Sequence, residues 1–243
     1  MIKVFLIVVS IFIICLSVHA DAVARIARLE GMVSIMRNGS AEWRAAKPST
    51  PLEAGDQVYT REESFAEIRY SIGTVLRMDE KTKITIAASS EQTIKTKNTL
   101  GDVWVNMKKL LTKGKEFEVT TPTAVAAIRG TVFQMASQAD STATVSVYNG
   151  KVAVGPSDEL KKKIDQAKTG AHVDQPVEVP GPEEIPGPFE VSLSQWRDIV
   201  AGQKISIRTD GKFAQEKFDV KAAAEEKFVK KNLELDRELM KEK

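Results

Sequence analysis

From Val23 to Val154, apolar residues recur at every second position in short runs separated by Gly, Asn, Asp or Ser. That period of two places one side chain in two on the same face of an extended chain, so it predicts many short, half-buried β-strands. "VSIMR" sets Val33 and Ile35 on one face, "AEIRY" sets Ala66, Ile68 and Tyr70, "KITI" sets Ile84 and Ile86, and "DVWVNM" sets Val103, Val105 and Met107. In "TVSVYNGKVAV" the two alternating runs are joined by Asn149 and Gly150, both tolerant of positive φ. This predicts a hairpin closed by a type I′ turn. Further turns are expected at Arg37-Asn38-Gly39, Ala54-Gly55-Asp56, Ser71-Ile72-Gly73 and Lys113-Gly114.

The pattern changes after Val154. Residues 155–188 hold six of the nine prolines, including "VPGPEEIPGP", after a small helical candidate from Ser157 to Lys168. Proline at that density removes amide donors and favours extended, solvated backbone, which predicts a linker or long excursion. Alternation resumes over residues 189–211 in "PFEVSL" and "QKISIRTDG", a strand pair expected to rejoin the β-domain. Residues 212–243 read as helix, with Val220, Ala224, Phe228, Leu235 and Leu239 forming an apolar stripe that Lys231 interrupts. A stripe of that length must be covered, either by the protein's own β-domain or by a partner or second copy.

The 243 residues are 42% hydrophobic and 28% charged, with a formal net charge of +2, which fits a folded protein and announces no polyanionic partner. Residues 1–20, "MIKVFLIVVSIFIICLSVHA", combine one lysine, an apolar run and the small-residue pattern Val18-His19-Ala20. They predict a secretory signal cleaved near Ala20, with retention as an anchor the alternative, and a periplasmic or secreted mature chain from Asp21 without a transmembrane span. Cleavage would remove the sole cysteine, Cys15, and one of the two histidines, leaving His172. Disulfides, thiolate chemistry and multi-histidine zinc sites are then excluded.

The stretch "FEVTTPTAVAAIRGTVFQM" resembles the hallmark of FecR-type domains, an extended segment through Thr-Pro followed by Gly-Thr and a further strand. "LEGMVSIMRNG", "PLEAGDQVYTREESFAEIRYSIGTVLRMDEKTKITI", "LGDVWVNM" and "TVSVYNGKVAV" are similar to the family's other strands in order, so the resemblance covers about residues 25–155. It implies a mainly β fold, a twisted solenoid-like or sandwich-like stack of short strands with a C-terminal α-helix. Alternation alone does not separate a sandwich from a solenoid. The resemblance also implies a cell-envelope module, some members of which pass receptor occupancy to a cytoplasmic sigma factor. Those regulators carry an anti-sigma segment and a membrane span before the domain, and a free-standing exported module is the expectation for this chain.

Within the hallmark, Pro122 ends a strand, Ala124 to Ala127 permit close packing, and Gly130 and Thr131 form a tight corner, so the motif reads as scaffold. Arg129 is either a contact to a partner or an arginine paired near the sheet. Lys95, Lys97, Lys108 and Lys109 with Trp104 form a basic, aromatic stretch. It suits an anionic envelope polymer, or serves to keep strand edges from pairing. Trp196 is a packing anchor or a stacking platform. No nucleophile elbow, phosphate loop or dinucleotide fingerprint occurs, and His172 lies in the proline-rich stretch, so no enzyme and no cofactor are expected. The expected role is a scaffold that binds an envelope protein or polymer, not nucleic acid, with self-association through the C-terminal helix as a further expectation.

Overall fold

The computed structural model describes residues 22–89, 93–107, 116–128, 130–169 and 196–241. The predicted leader, Cys15, the turn at Lys113-Gly114, His172 and the "PFEVSL" strand lie outside these residues. Among the described residues seventeen strands are hydrogen-bonded into two ladders that share one member. The first ladder runs β4 (Pro51–Leu52), β1 (Ala24–Glu30), β6 (Phe65–Tyr70), β7 (Val75–Met78), β9 (Thr93–Asn106), β12 (Val132–Ser137), β13 (Ala143–Asn149), β16 (Gln203–Ile207) and β17 (Phe213–Lys217). The second runs β3 (Trp43–Ala45), β2 (Val33–Met36), β5 (Gln57–Thr60), β8 (Lys83–Ser89), β9, β10 (Glu116–Thr120), β11 (Ala124–Ile128), β14 (Lys151–Pro156) and β15 (Arg197–Val200).

The chain crosses from one ladder to the other repeatedly, and the inward side chains of both merge in one apolar core. Val33 and Ile35, Ala66, Ile68 and Tyr70, Ile84 and Ile86, and Val103, Val105 and Met107 all lie in it, as their alternation predicts. The architecture is therefore a sandwich with one turn of solenoid. β9 passes from the second ladder into the first, and the chain then returns so that β10 lies parallel to the half of β9 it left. The other ladder pairings are antiparallel.

The bend inside β9 falls at Gly101, whose φ is +85°, and a Cβ there would stand 2.4 Å from Thr82 Oγ1. Only glycine allows both that backbone conformation and that approach. Thr82 uses the proximity: its Oγ1 accepts from the Asp102 amide at 3.1 Å, and its own amide donates to Thr60 Oγ1 at 3.1 Å. Hydroxyls thus link successive crossings along one edge of the sandwich.

Two expectations are corrected. Asn149 and Gly150 do not close a hairpin: β13 pairs with β12 and β16, whereas β14 pairs with β11 and β15, in the opposite ladder. Gly150 has φ +85° while Asn149 is not in the left-handed region, so no type I′ turn forms and the pair makes a crossing. Glycine serves both the left-handed backbone and the packing, because a Cβ at Gly150 would meet Thr131 Cγ2 at 2.8 Å. Second, Phe213–Lys217 is a strand rather than the start of the helix, since it completes the hydrogen bonds of β16 at the edge of the first ladder. The turns at Gly39, Gly55 and Gly73 are present, each glycine with positive φ.

Among the described residues three helices accompany the sandwich: α1 (Asp158–Thr169), α2 (Val220–Ala223) and α3 (Lys227–Lys241). Leu160 of α1 enters the main core. The predicted C-terminal helix is thus broken between α2 and α3, and α3 docks on the outer face of the first ladder. Phe228, Val229 and Leu235 pack there with Phe65 and Trp104 in a second apolar cluster. Lys231, which breaks the apolar stripe, lies 3.8 Å from the Phe65 ring centroid and bonds Glu30 at 2.8 Å.

At the centre of this contact Arg77 is fully buried. Its Nε donates to Glu67 Oε2 at 2.8 Å and its Nη1 to Asp236 Oδ1 at 2.6 Å. The other Asp236 oxygen accepts from Trp104 Nε1 at 3.0 Å. Burial works to raise the Glu67 carboxyl, but hydrogen bonds and charge from Arg77 and Arg69 outweigh it, and the net shift is downward.

Three outcomes follow from this packing. Gly101→Ala should destabilise the protein by about 1–3 kcal/mol in equilibrium urea unfolding, through left-handed strain and the approach to Thr82. Asp236→Ala leaves Arg77 buried without its nearest carboxylate and should cost about 3–5 kcal/mol at pH 7 by the same measurement. Because the folded Glu67 value lies below the ordinary 4.5, its contribution is complete above that value and lost as pH falls through the depressed one. The loss of stability on acidification from pH 6 should accordingly be smaller in Glu67→Gln than in the wild type.

Candidate functional site

With α3 covering the first ladder, the outer face of the second ladder carries the groove that gathers the sequence candidates. A depression of about 360 Å3 lies between β9, β10 and the start of α1, lined among others by Lys95, Lys97, Glu118, Val125, Glu159 and Trp196. β9 and β10 are parallel here, with Lys95 opposite Glu118 and Lys97 opposite Thr120. Outward residues of the two strands therefore stand side by side.

The FecR-like hallmark positions the helical wall. Thr121 Oγ1 accepts from the Ala124 amide at 2.9 Å, which fixes the tight turn around Pro122. Ser157 Oγ donates to the Pro122 carbonyl at 2.6 Å and itself accepts from the Leu160 amide at 3.0 Å, capping α1. Gly130, with φ +68°, and Thr131 make the crossing from β11 to β12, and Thr131 accepts at its carbonyl from the Met107 amide at 3.0 Å. The motif thus does structural work at two corners and sets where α1 begins.

Each groove lysine has an acid. Lys95 Nζ is 2.9 Å from Glu118 Oε2, and Lys97 Nζ is 3.1 Å from Glu159 Oε2. Glu159 also takes Lys163 at 3.1 Å, and the hydrogen bonds from Lys97 and Lys163 hold its carboxyl below the usual carboxylate range. Trp196 lies half-buried against Gly155, where a Cβ would come within 2.9 Å of the ring. Glycine there provides a flat strand surface for the indole.

The structure therefore brings Lys95, Lys97 and Trp196 together and sends Trp104 elsewhere. Trp104 is fully buried on the first ladder beneath α3, its ring 4.6 Å from that of Tyr148, because α3 covers a face that period-two alternation assigns to solvent. Lys108, Lys109 and Arg129 lie outside the described residues. Glu118, Glu159, Arg77, Glu67 and Asp236 escaped the sequence reading. For Arg77 the signal was present, a charge inside the apolar run "TVLRM"; for Glu118 it was absent, since its neighbour depends on a parallel pairing of distant strands. Among the described residues no group of three or more His, Cys, Asp or Glu is placed to hold a metal, and no helix is long and apolar enough to cross a membrane.

The family model described as FecR protein matches residues 56–153. Among solved structures, two crystal structures of a protein from Parabacteroides distasonis, provisionally named an anti-sigma factor, superpose with a TM-score of 0.45 at 15% identity, over 68% of this chain and 61% of theirs. The match thus spans less than two thirds of those proteins' length. No curated protein matches the chain. The matched segment runs from the end of the turn at Asp56 into β14, taking in the shared strand and the Thr-Pro corner, so residues 56–153 of this chain are similar to the FecR family model.

Proposed function

We propose that the protein is a non-catalytic, exported FecR-domain module of the cell envelope that binds a protein partner through the groove of its second ladder, in a signalling role. The observation that carries this reading is the pairing of Lys95 with Glu118 and of Lys97 with Glu159. A polyanion would have to displace or confront those carboxylates. A protein surface carrying both signs of charge can match them in alternation. Trp196 supplies the amphipathic ring that anchors many such contacts. The FecR domain supports the signalling role, and the leader-like residues 1–20 support export.

The test is affinity capture from cross-linked cell envelopes with the wild type, Trp196→Ala, Lys97→Glu and the charge-swapped Lys97→Glu/Glu159→Lys pair. A protein recovered by the wild type, weakened about tenfold by either single substitution and restored in part by the swap, is the expected result. Recovery of polysaccharide or lipid alone, falling steeply with salt, would instead favour an anionic polymer held by the lysine-rich stretch.

A further inference from the structure

A second concavity, of about 670 Å3, sits beside the turn that joins β6 to β7 and shares no lining residue with the groove. Its wall includes Arg25, Ser49, Arg69, Ser71 and Thr74. Arg25 of β1 and Arg69 of β6 are direct register partners across the ladder. Like charges placed so are mutually destabilising.

The protein compensates this pair only in part. Arg69 reaches Glu67 through Nε at 2.9 Å, and the other oxygen of that carboxylate is taken by Arg77. Among the described residues Arg25 has no acidic partner, and Arg28 stands opposite the already shared Glu67. One hydroxyl of the cavity wall is also without a partner. Thr74 is fully buried, yet its Oγ1 has no hydrogen-bond partner. Such a group is costly unless something accepts from it or donates to it. Ser49 adopts φ +65°, a left-handed conformation that serine rarely takes and that is often tied to a functional need.

We propose that this cavity binds the phosphate group of a small molecule, a function separate from the partner groove. Two guanidinium groups supply planar, charge-assisted donors, and the hydroxyls of Ser49 and Ser71 can satisfy remaining oxygens. The volume lies within the range of small-molecule sites and far exceeds a phosphate ion, leaving room for an organic remainder against Pro51 and Val75.

The experiment is calorimetric titration of the full chain at fixed ionic strength with inorganic phosphate, with a sugar phosphate, and with vesicles containing phosphatidylglycerol. The sugar phosphate should bind, and more tightly than inorganic phosphate. Arg25→Gln/Arg69→Gln should abolish that binding while keeping the far-ultraviolet circular dichroism of the wild type. Ser71→Ala gives the sharper discrimination: this exposed lining hydroxyl lies outside the core, so thermal stability should be unchanged while affinity falls about tenfold. Binding of neither phosphate probe, equal affinity in the double variant, or binding to vesicles alone would overturn the proposal.

Discussion

A single fourteen-residue strand belongs to both ladders of this protein, and its bend at Gly101 sets how they meet. The first half of β9 pairs with β8 and β10, and the second half with β7 and β12. The strands on either side must align to one or the other half, so the register of the sandwich traces back to this strand. The FecR match brackets it, the Thr-Pro corner that follows turns β10 into β11 within the second ladder, and Gly130 and Thr131 then carry the chain back across the core.

The alternation of apolar residues identified the inward face of nearly every strand, because a strand with one buried face writes that face directly into the sequence. It did not identify partners. "TVSVYNGKVAV" carries the signal of a hairpin, yet Gly150 meets Thr131 of an earlier crossing and the two runs part company. Turn chemistry reports local backbone preference, and a glycine needed for close approach leaves the same trace as one needed for a turn. The groove was half visible: Lys95, Lys97 and Trp196 could be singled out, but the acids that pair the lysines come from β10 and α1, brought there by a parallel crossover no local pattern encodes. Trp104 and Arg77 alternate toward solvent by position and were hidden by α3, an element far away in the chain.

The two outer faces manage charge in contrasting ways. On the second ladder each lysine of the groove meets an acid at the surface, where ion pairs are weak and exchange easily with water or a binding partner. On the first ladder Arg77 is sealed under α3 with Glu67 and Asp236, and the pairing is sensitive to the loss of any one member. Away from the helix, Arg25 and Arg69 have fewer carboxylates than they need. Placement of compensating acids thus divides this ladder into a closed, neutralised region and an open, electropositive one.

Arg77 and Asp236 are 159 residues apart. Their contact closes a loop that spans most of the protein, and the entropy of bringing the two ends together is smallest where the intervening strands are already ordered by the sandwich itself. Until the last two dozen residues are available, the face bearing Trp104 and Phe65 stays uncovered, and Arg77 has only Glu67 as a carboxylate partner. The helix is in this sense the closing piece of the fold: one carboxylate, Asp236, near its end holds both Arg77 Nη1 and Trp104 Nε1, so the finish of this face rests on residues at the far end of the chain.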